Sequence, residues 1–275
     1  MNATLGLMSD MRGAVSIARH YGVRTRLEAW ELPEGPVPES VPHDHAAEHL
    51  RRVLEAFKAR SERQLFVARN LAVRWLEERP SIGIDPDVCV IEPPPPGAER
   101  LSSLCLWKPG HRPPALCVEV VSRSHPYKDY VEIQDRYAAL GTEELCVFDP
   151  LLAGPATLGG PVPLQLWRRD TLGTLGLVHF GAEPAFSEVL DAWLIPSDAL
   201  LEVADDRSLK NRWLTGEQQA RAEKDHEQAE KERERAEKEH ERAEKERERA
   251  EKEQERAARL ELERRVADLE AARSK

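Results

Sequence analysis

The sequence predicts a mixed α/β domain followed by a long, charged C-terminal helix. Three observations carry this prediction. Short apolar runs typical of β-strands alternate with stretches of helical periodicity before residue 205. All prolines and all four cysteines lie before Glu217, and the chain after it is a charged seven-residue repeat. We therefore expect an N-terminal extension over residues 1–42, a domain over 43–205 and a helix over 217–275.

The first predicted helix of the domain covers Asp44–Arg60. Its apolar residues recur at intervals of three and four and so share one face, which we expect to cover a sheet. They are Ala47, Leu50, Val53, Leu54 and Phe57. A further helix-like stretch runs from about Ser9 to Tyr21, ahead of a proline-rich segment, and shows little chemistry.

Apolar runs between turn residues predict the strands. Leu65–Trp75 is rich in β-formers, and Val88–Ile91 ends before the run PPPPG. Leu116–Val121 and Leu145–Phe148 are the third and fourth strands. A later hairpin is predicted to connect Leu164–Trp167 with Leu177–Phe180.

A second helix is predicted between the third and fourth strands. Asp129 followed by Glu132 has the spacing of a capping box, and Gly141 marks the end of the helix. Its apolar face consists of Tyr130, Ile133, Tyr137 and Leu140. The order of helix, strands, helix and strand predicts a mixed sheet flanked by helices.

Composition and charge narrow the class of protein. The cysteines lack the spacing of a metal site and most lie in apolar runs, so we expect buried free thiols. Asp10 and Arg12 interrupt the start before an export signal forms, and no run approaches the roughly 20 apolar residues of a membrane span. We therefore expect a soluble cytoplasmic protein. The net charge of −10 means that contact with nucleic acid would need a basic patch or a bridging metal.

The C-terminal repeat places alanine at every seventh position from Ala222 to Ala257. Glutamate stands four residues before lysine in each repeat, and each such pair stabilises a helix by about 0.2–0.5 kcal/mol. A coiled-coil seam needs a second apolar position, which only Leu262, Val266 and Leu269 supply. Two interpretations remain open: an oligomerisation arm that pairs at its C-terminal end, and an isolated solvated helix.

Two carboxylates occupy positions where a purely structural strand would not place them. Asp87 directly precedes Val88–Ile91, and Glu119 interrupts the apolar strand ALCVEVV. An ionised carboxylate within a sheet is costly unless it is paired or bound to metal. Oxygen ligands at strand ends suit Mg²⁺ or Mn²⁺, which support phosphodiester hydrolysis. The alternative from the residues alone is a pair of strand-edge carboxylates that face solvent or an arginine.

The segments PDVCVIEPPPP, PPALCVEVVSRSHPYKDY and RYAALGTEELCVFDP resemble the Uma2 family (DUF820) of the PD-(D/E)xK nuclease superfamily. The resemblance runs from about His43 to Pro196 and includes SEVLDAWLIP. It implies a restriction-endonuclease-like fold, Mg²⁺ or Mn²⁺ as cofactor and DNA as substrate. It also implies that Asp87 and Glu119 are the catalytic, metal-binding carboxylates.

This chain departs from the family pattern at the catalytic lysine. The superfamily's lysine would stand at Val121, and members of this family supply it from the helix at the position of Ile133. Lys128 is the nearest replacement, although it equally fits a solvated lysine near a helix start. Glu48 on the first helix is a candidate third metal ligand, and it equally fits a solvent-facing residue.

Two functions from different classes follow. The first is a metal-dependent endonuclease in which Asp87 and Glu119 bind Mg²⁺ and Lys128 assists the attacking water. The second is a catalytically inactive nuclease-fold module that binds or assembles through its C-terminal helix, which the missing lysine favours. His111, His125 and His179 fall in predicted loop or hairpin positions without metal-ligand spacing, so we expect them at the surface.

Overall fold

The computed structural model describes residues 30–31, 40–123, 130, 133–156 and 161–273. The chain divides into two compact units, Met1–Gly216 and Glu217–Lys275. Three of the features predicted from the sequence fall outside the described residues: the helix from Ser9 to Tyr21, the capping box and Lys128.

The described helices are α1 (Val41–Arg60), α2 (Ile133–Leu140) and α3 (Gly216–Arg273). The strands are β1 (Phe66–Ala68), β2 (Ala72–Arg74), β3 (Gly83–Ile84), β4 (Val88–Ile91), β5 (Ser103–Cys105), β6 (Leu116–Val120), β7 (Glu144–Phe148), β8 (Leu164–Arg169), β9 (Leu175–Gly181), β10 (Ala185–Ser187), β11 (Ala192–Ser197) and β12 (Leu200–Ala204). A short 3-10 turn covers Ala98–Arg100.

A six-stranded sheet in the order β1-β4-β6-β7-β8-β9 forms the centre of the first unit. The pair β6 and β7 is parallel and every other neighbouring pair is antiparallel, so the sheet is mixed as predicted. Both strands of the parallel pair are buried along their whole length, which explains why apolar residues dominate them. Two three-stranded sheets, β3-β2-β5 and β10-β11-β12, complete the unit.

Helix α1 covers one face of the central sheet. Its buried residues include Ala46, Ala47, Leu50, Val53 and Leu54, and these pack in one core with the valines of β4 and β6. The helix begins at Val41, three residues before the predicted start, with Pro42 in its first turn. Proline is favoured there because its fixed φ suits a helix and its missing N–H would have no partner inside the helix.

Helix α2 covers the opposite face. Ile133, Tyr137 and Leu140 lie in a second core together with Cys89 and Cys117, which confirms the predicted apolar face. The helix ends before Gly141, whose φ of +98° lies in the region that glycine tolerates best.

The single strand expected over Leu65–Trp75 is wrong. The segment forms β1 and β2, which belong to different sheets, and Asn70 between them has a φ of 50°. Asparagine adopts this left-handed conformation more readily than most residues, so the chain turns there. The strands around SEVLDAWLIP, which build the sheet β10-β11-β12, were not predicted.

The four cysteines are free thiols and all are buried, as predicted. Burial raises the pKa of Cys89 to about 12 and raises the pKa values of Cys117 and Cys146 as well. The three thiols of Cys89, Cys117 and Cys146 therefore stay protonated and behave as small apolar core residues.

The second unit is the helix α3, and the described side chains from Ala220 to Arg265 are all exposed. The predicted pairs between glutamate and the lysine four residues later are present, with Nζ to Oε1 distances of 2.5 Å for Lys231, Lys238 and Lys252. Pairing of the helix with a second copy stays a prediction. None of the described helices has the length and apolar character to cross a membrane.

Candidate active site

Asp87 and Glu119 lie side by side at one end of neighbouring strands. Val88, the first residue of β4, pairs with Val118 of antiparallel β6, so one further step in the register brings Asp87 opposite Glu119. Directly opposed residues of an antiparallel pair project from the same face, with Cβ atoms about 4.5–5.5 Å apart. The two carboxylates predicted from the sequence are therefore brought together.

The Asp87 side chain is held by two contacts on one oxygen. The Val120 N–H donates to Oδ2 at 2.7 Å, and Nε2 of His43 lies 3.1 Å from the same atom. Asp87 is only 8% exposed. Within the described part of the chain both contacts fall on Oδ2, which leaves Oδ1 available to a further ligand.

Glu119 is fixed from the other side, by helix α2. The Tyr137 hydroxyl donates a hydrogen bond to Oε1 of Glu119, which is 5% exposed. The pKa of Tyr137 lies well above its usual value. Burial is the main cause, and the negative charges of Glu119 and Asp87 raise the pKa further. Tyr137 therefore stays protonated and remains a donor. Neither carboxylate faces solvent, so that part of the alternative interpretation is excluded.

Glu48 does not form a cluster with Asp87 and Glu119. Its carboxylate accepts hydrogen bonds from Arg51 and Arg52, and Nη1 of Arg69 lies 3.8 Å from it. The hydrogen bond from Arg51 is the main reason that the pKa of Glu48 falls to about 2. No group of three or more acidic, histidine or cysteine side chains among the described residues is arranged to hold a metal ion.

The position that carries the catalytic lysine in the family holds an apolar core residue. Ile133 is fully buried on α2, within the second core. Lys128, the proposed replacement, lies in the segment 124–129 outside the described residues, as does His125. His111 and His179 are partly buried rather than at the surface, and Nδ1 of His111 accepts the backbone N–H of Cys105.

The two carboxylates fit a magnesium-type site with open positions. Mg²⁺ in phosphate chemistry is commonly held by one or two carboxylates, and water and substrate phosphate complete its coordination. Asp87 offers Oδ1 because both of its contacts with described residues are on Oδ2, and Glu119 lies opposite on the next strand. Carboxylate oxygens are the ligand type that such a cation prefers, and the assignment of Asp87 and Glu119 as metal ligands stays a prediction.

Two contributors to the site were missed by the sequence reasoning. His43 lies three and four residues before Ala46 and Ala47, so the helical period of the buried face could have placed it towards the sheet. Tyr137 was placed correctly on the apolar face of α2, but its hydroxyl was not considered as a partner of Glu119. Both contacts join residues far apart in the sequence, which a local pattern cannot show.

A mixed sheet between two helices, with paired carboxylates at neighbouring strand ends, defines a nuclease-like α/β domain. Residues 19–153 match the sequence model of the Uma2 family, described as "Putative restriction endonuclease". The match confirms the predicted resemblance of this part of the chain to that family. The matched range begins and ends earlier than the resemblance from His43 to Pro196 seen in the sequence.

Among solved structures, the chain is similar to a crystal structure described as a "putative nuclease belonging to DUF820 from Anabaena variabilis ATCC 29413". The two share 12% sequence identity with a TM-score of 0.42, and the similarity covers 60% of this chain and 82% of that chain. No curated protein matches the chain.

Proposed function

We propose that the domain is a divalent-metal-dependent endonuclease that hydrolyses DNA, with Asp87 and Glu119 as its metal ligands. The observation that carries this proposal is the buried, side-by-side arrangement of these carboxylates at the ends of β4 and β6. Burial of two acidic groups is costly unless a positive charge or hydrogen bonds compensate, so a cation has a physical role there. The description of the Uma2 family supports DNA as the substrate.

Each residue of the site has a distinct part in the proposal. Mg²⁺ or Mn²⁺, when bound, polarises a phosphate oxygen and lowers the pKa of a bound water. The Val120 N–H holds Asp87 and the Tyr137 hydroxyl holds Glu119, so both carboxylates are oriented before substrate arrives. Lys128 is proposed to orient the attacking water, and this assignment rests on its position in the sequence between Glu119 and α2.

Cleavage of supercoiled plasmid DNA tests the proposal. The purified chain is incubated with Mg²⁺ or Mn²⁺ beside Asp87→Asn and a matched control, Asp85→Asn. Asp85 is 43% exposed and pairs with Arg74, so its loss leaves the paired carboxylates intact. We expect cleavage by the wild type and by the control, and loss of cleavage in Asp87→Asn and with a chelator. Equal cleavage by the two variants would contradict the assignment.

A second function is favoured by a specific observation, the fully buried Ile133 at the family's lysine position. In this alternative the domain is catalytically inactive and acts in binding or assembly through α3. Calorimetry separates the two proposals. Absence of Mn²⁺ binding, together with a stable dimer that is lost on truncation at Gly216, would support assembly.

A further inference from the structure

We propose that His43 is a positioning residue that aims Oδ1 of Asp87 at the cation. This inference rests on the proposed function and adds a residue that neither the sequence reasoning nor the family match assigns. His43 lies in the first turn of α1, and Asp87 lies at the start of β4, so the contact joins the helix to the site across the end of the sheet.

The geometry of the contact explains how it acts. The Nε2 atom of His43 and the Val120 N–H both approach Oδ2, at 3.1 Å and 2.7 Å. A hydrogen bond and an ion-pair contact on the same oxygen restrict rotation of the carboxyl group more than the hydrogen bond alone would. The imidazole therefore helps to determine which oxygen of Asp87 is left for a further ligand.

The backbone of α1 holds the imidazole in place. His43 is 7% exposed, and the next residues on its face, Ala46 and Ala47, are 2% and 0% exposed. Alanine has no side chain that can rearrange, so the first turn of the helix packs closely and rigidly on the core. The position of Nε2 is thus set by packing on the sheet.

A second histidine on the same helix contacts a carboxylate in a different arrangement. Nε2 of His49 lies 3.5 Å from Oε2 of Glu202, and Arg212 pairs with the other oxygen of that carboxylate. This network connects α1 to β12 with both carboxylate oxygens engaged. At Asp87 the described contacts engage one oxygen alone, which is the arrangement expected of a metal ligand whose orientation is controlled.

The expected effect follows from the behaviour of hydrogen bonds to metal ligands. Loss of a group that orients a ligand typically weakens metal binding by about 10-fold to 100-fold. In His43→Leu an apolar side chain of similar size replaces the imidazole. We therefore expect this variant to bind Mn²⁺ more weakly by a factor in this range.

Titration calorimetry with Mn²⁺ on the full chain tests the inference without reference to cleavage. His43→Gln retains an N–H donor at a reach close to that of Nε2, and His43→Asn carries the same amide on a shorter stem. His45→Leu is the matched control, because His45 is exposed and lies two residues along the same helix. Thermal unfolding is recorded for each variant.

The inference expects near wild-type affinity in His43→Gln and His45→Leu, and weak binding in His43→Leu and His43→Asn. A purely structural role would lower the unfolding midpoint and leave the Mn²⁺ affinity of the folded protein unchanged, which would overturn the inference alone. If His43→Leu does not fold, the difference in Mn²⁺ affinity between His43→Gln and His43→Asn tests the inference, and equal affinities would overturn it. Absence of Mn²⁺ binding by the wild type at millimolar concentration would overturn the proposed function and this inference together.

Discussion

Replacing Tyr137 by phenylalanine removes one hydroxyl from the site and keeps the rest of the aromatic side chain. Tyr137 is fully buried, and its hydroxyl donates to the carboxylate of Glu119. A hydrogen bond to a charged group contributes about 1.5–3 kcal/mol, and phenylalanine leaves no large cavity. We expect the free energy of unfolding to fall by about 2 kcal/mol. For a domain of this size the unfolding midpoint should then fall by about 4–8 °C.

Urea denaturation of the wild type and Tyr137→Phe measures this difference, and Glu119→Gln provides the second arm of a double-mutant cycle. Glutamine keeps an acceptor oxygen but carries no charge, so the same hydroxyl should contribute only about 1 kcal/mol in that background. The slope of the unfolding free energy against urea should be the same in all four proteins if only stability changes.

Two results would refute the reasoning. A cost below about 0.5 kcal/mol for Tyr137→Phe would show that the hydroxyl does not stabilise the buried carboxylate. An equal cost in the Glu119→Gln background would show that the charge of Glu119 is not what the hydroxyl compensates. Either result would remove Tyr137 from the site.

Three further predictions concern other parts of the molecule. Ser187→Ala should lower the free energy of unfolding by about 1–3 kcal/mol in urea, because the Ser187 hydroxyl donates to the buried carboxylate of Glu144. Lys238→Glu replaces an attractive pair by a repulsive one and should reduce helix content by circular dichroism, most clearly at low salt. The hydrogen bond from Arg51 holds the pKa of Glu48 at about 2, so its contribution to stability is present above the unfolded pKa of about 4.3 and is lost as pH falls through the folded value. Glu48→Gln should therefore lose less stability than the wild type in an acid titration followed by fluorescence.

The central sheet and its two helices were largely predictable from local sequence. Strands β4, β6 and β7 are buried on both faces and are therefore made up mostly of apolar residues, while α2 shows helical spacing up to Gly141. The acidic residues were detectable because Glu119 breaks such a run. Their proximity was an expectation of the family resemblance, and the register of β4 and β6 brings them opposite each other.

Other features depend on contacts that local patterns do not contain. The turn at Asn70 divides one β-rich segment between two sheets, and nothing in Leu65–Trp75 other than that asparagine indicates it. Glu48 has the residue type of a metal ligand, but three arginines surround its carboxylate instead. The domain limits at residues 43 and 205, the catalytic role of Lys128 and the coiled coil stay predictions.

Helix α3 also carries exposed lysines at equal intervals along its length. Its lysines Lys231, Lys238, Lys245 and Lys252 recur every seven residues, and each is at least 65% exposed. A helix rises 1.5 Å per residue, so neighbouring amines are about 10.5 Å apart along the axis, and they drift by only about 20° around it per step. Amine-reactive dyes attached singly to these positions would report distances in uniform increments along one side of the helix.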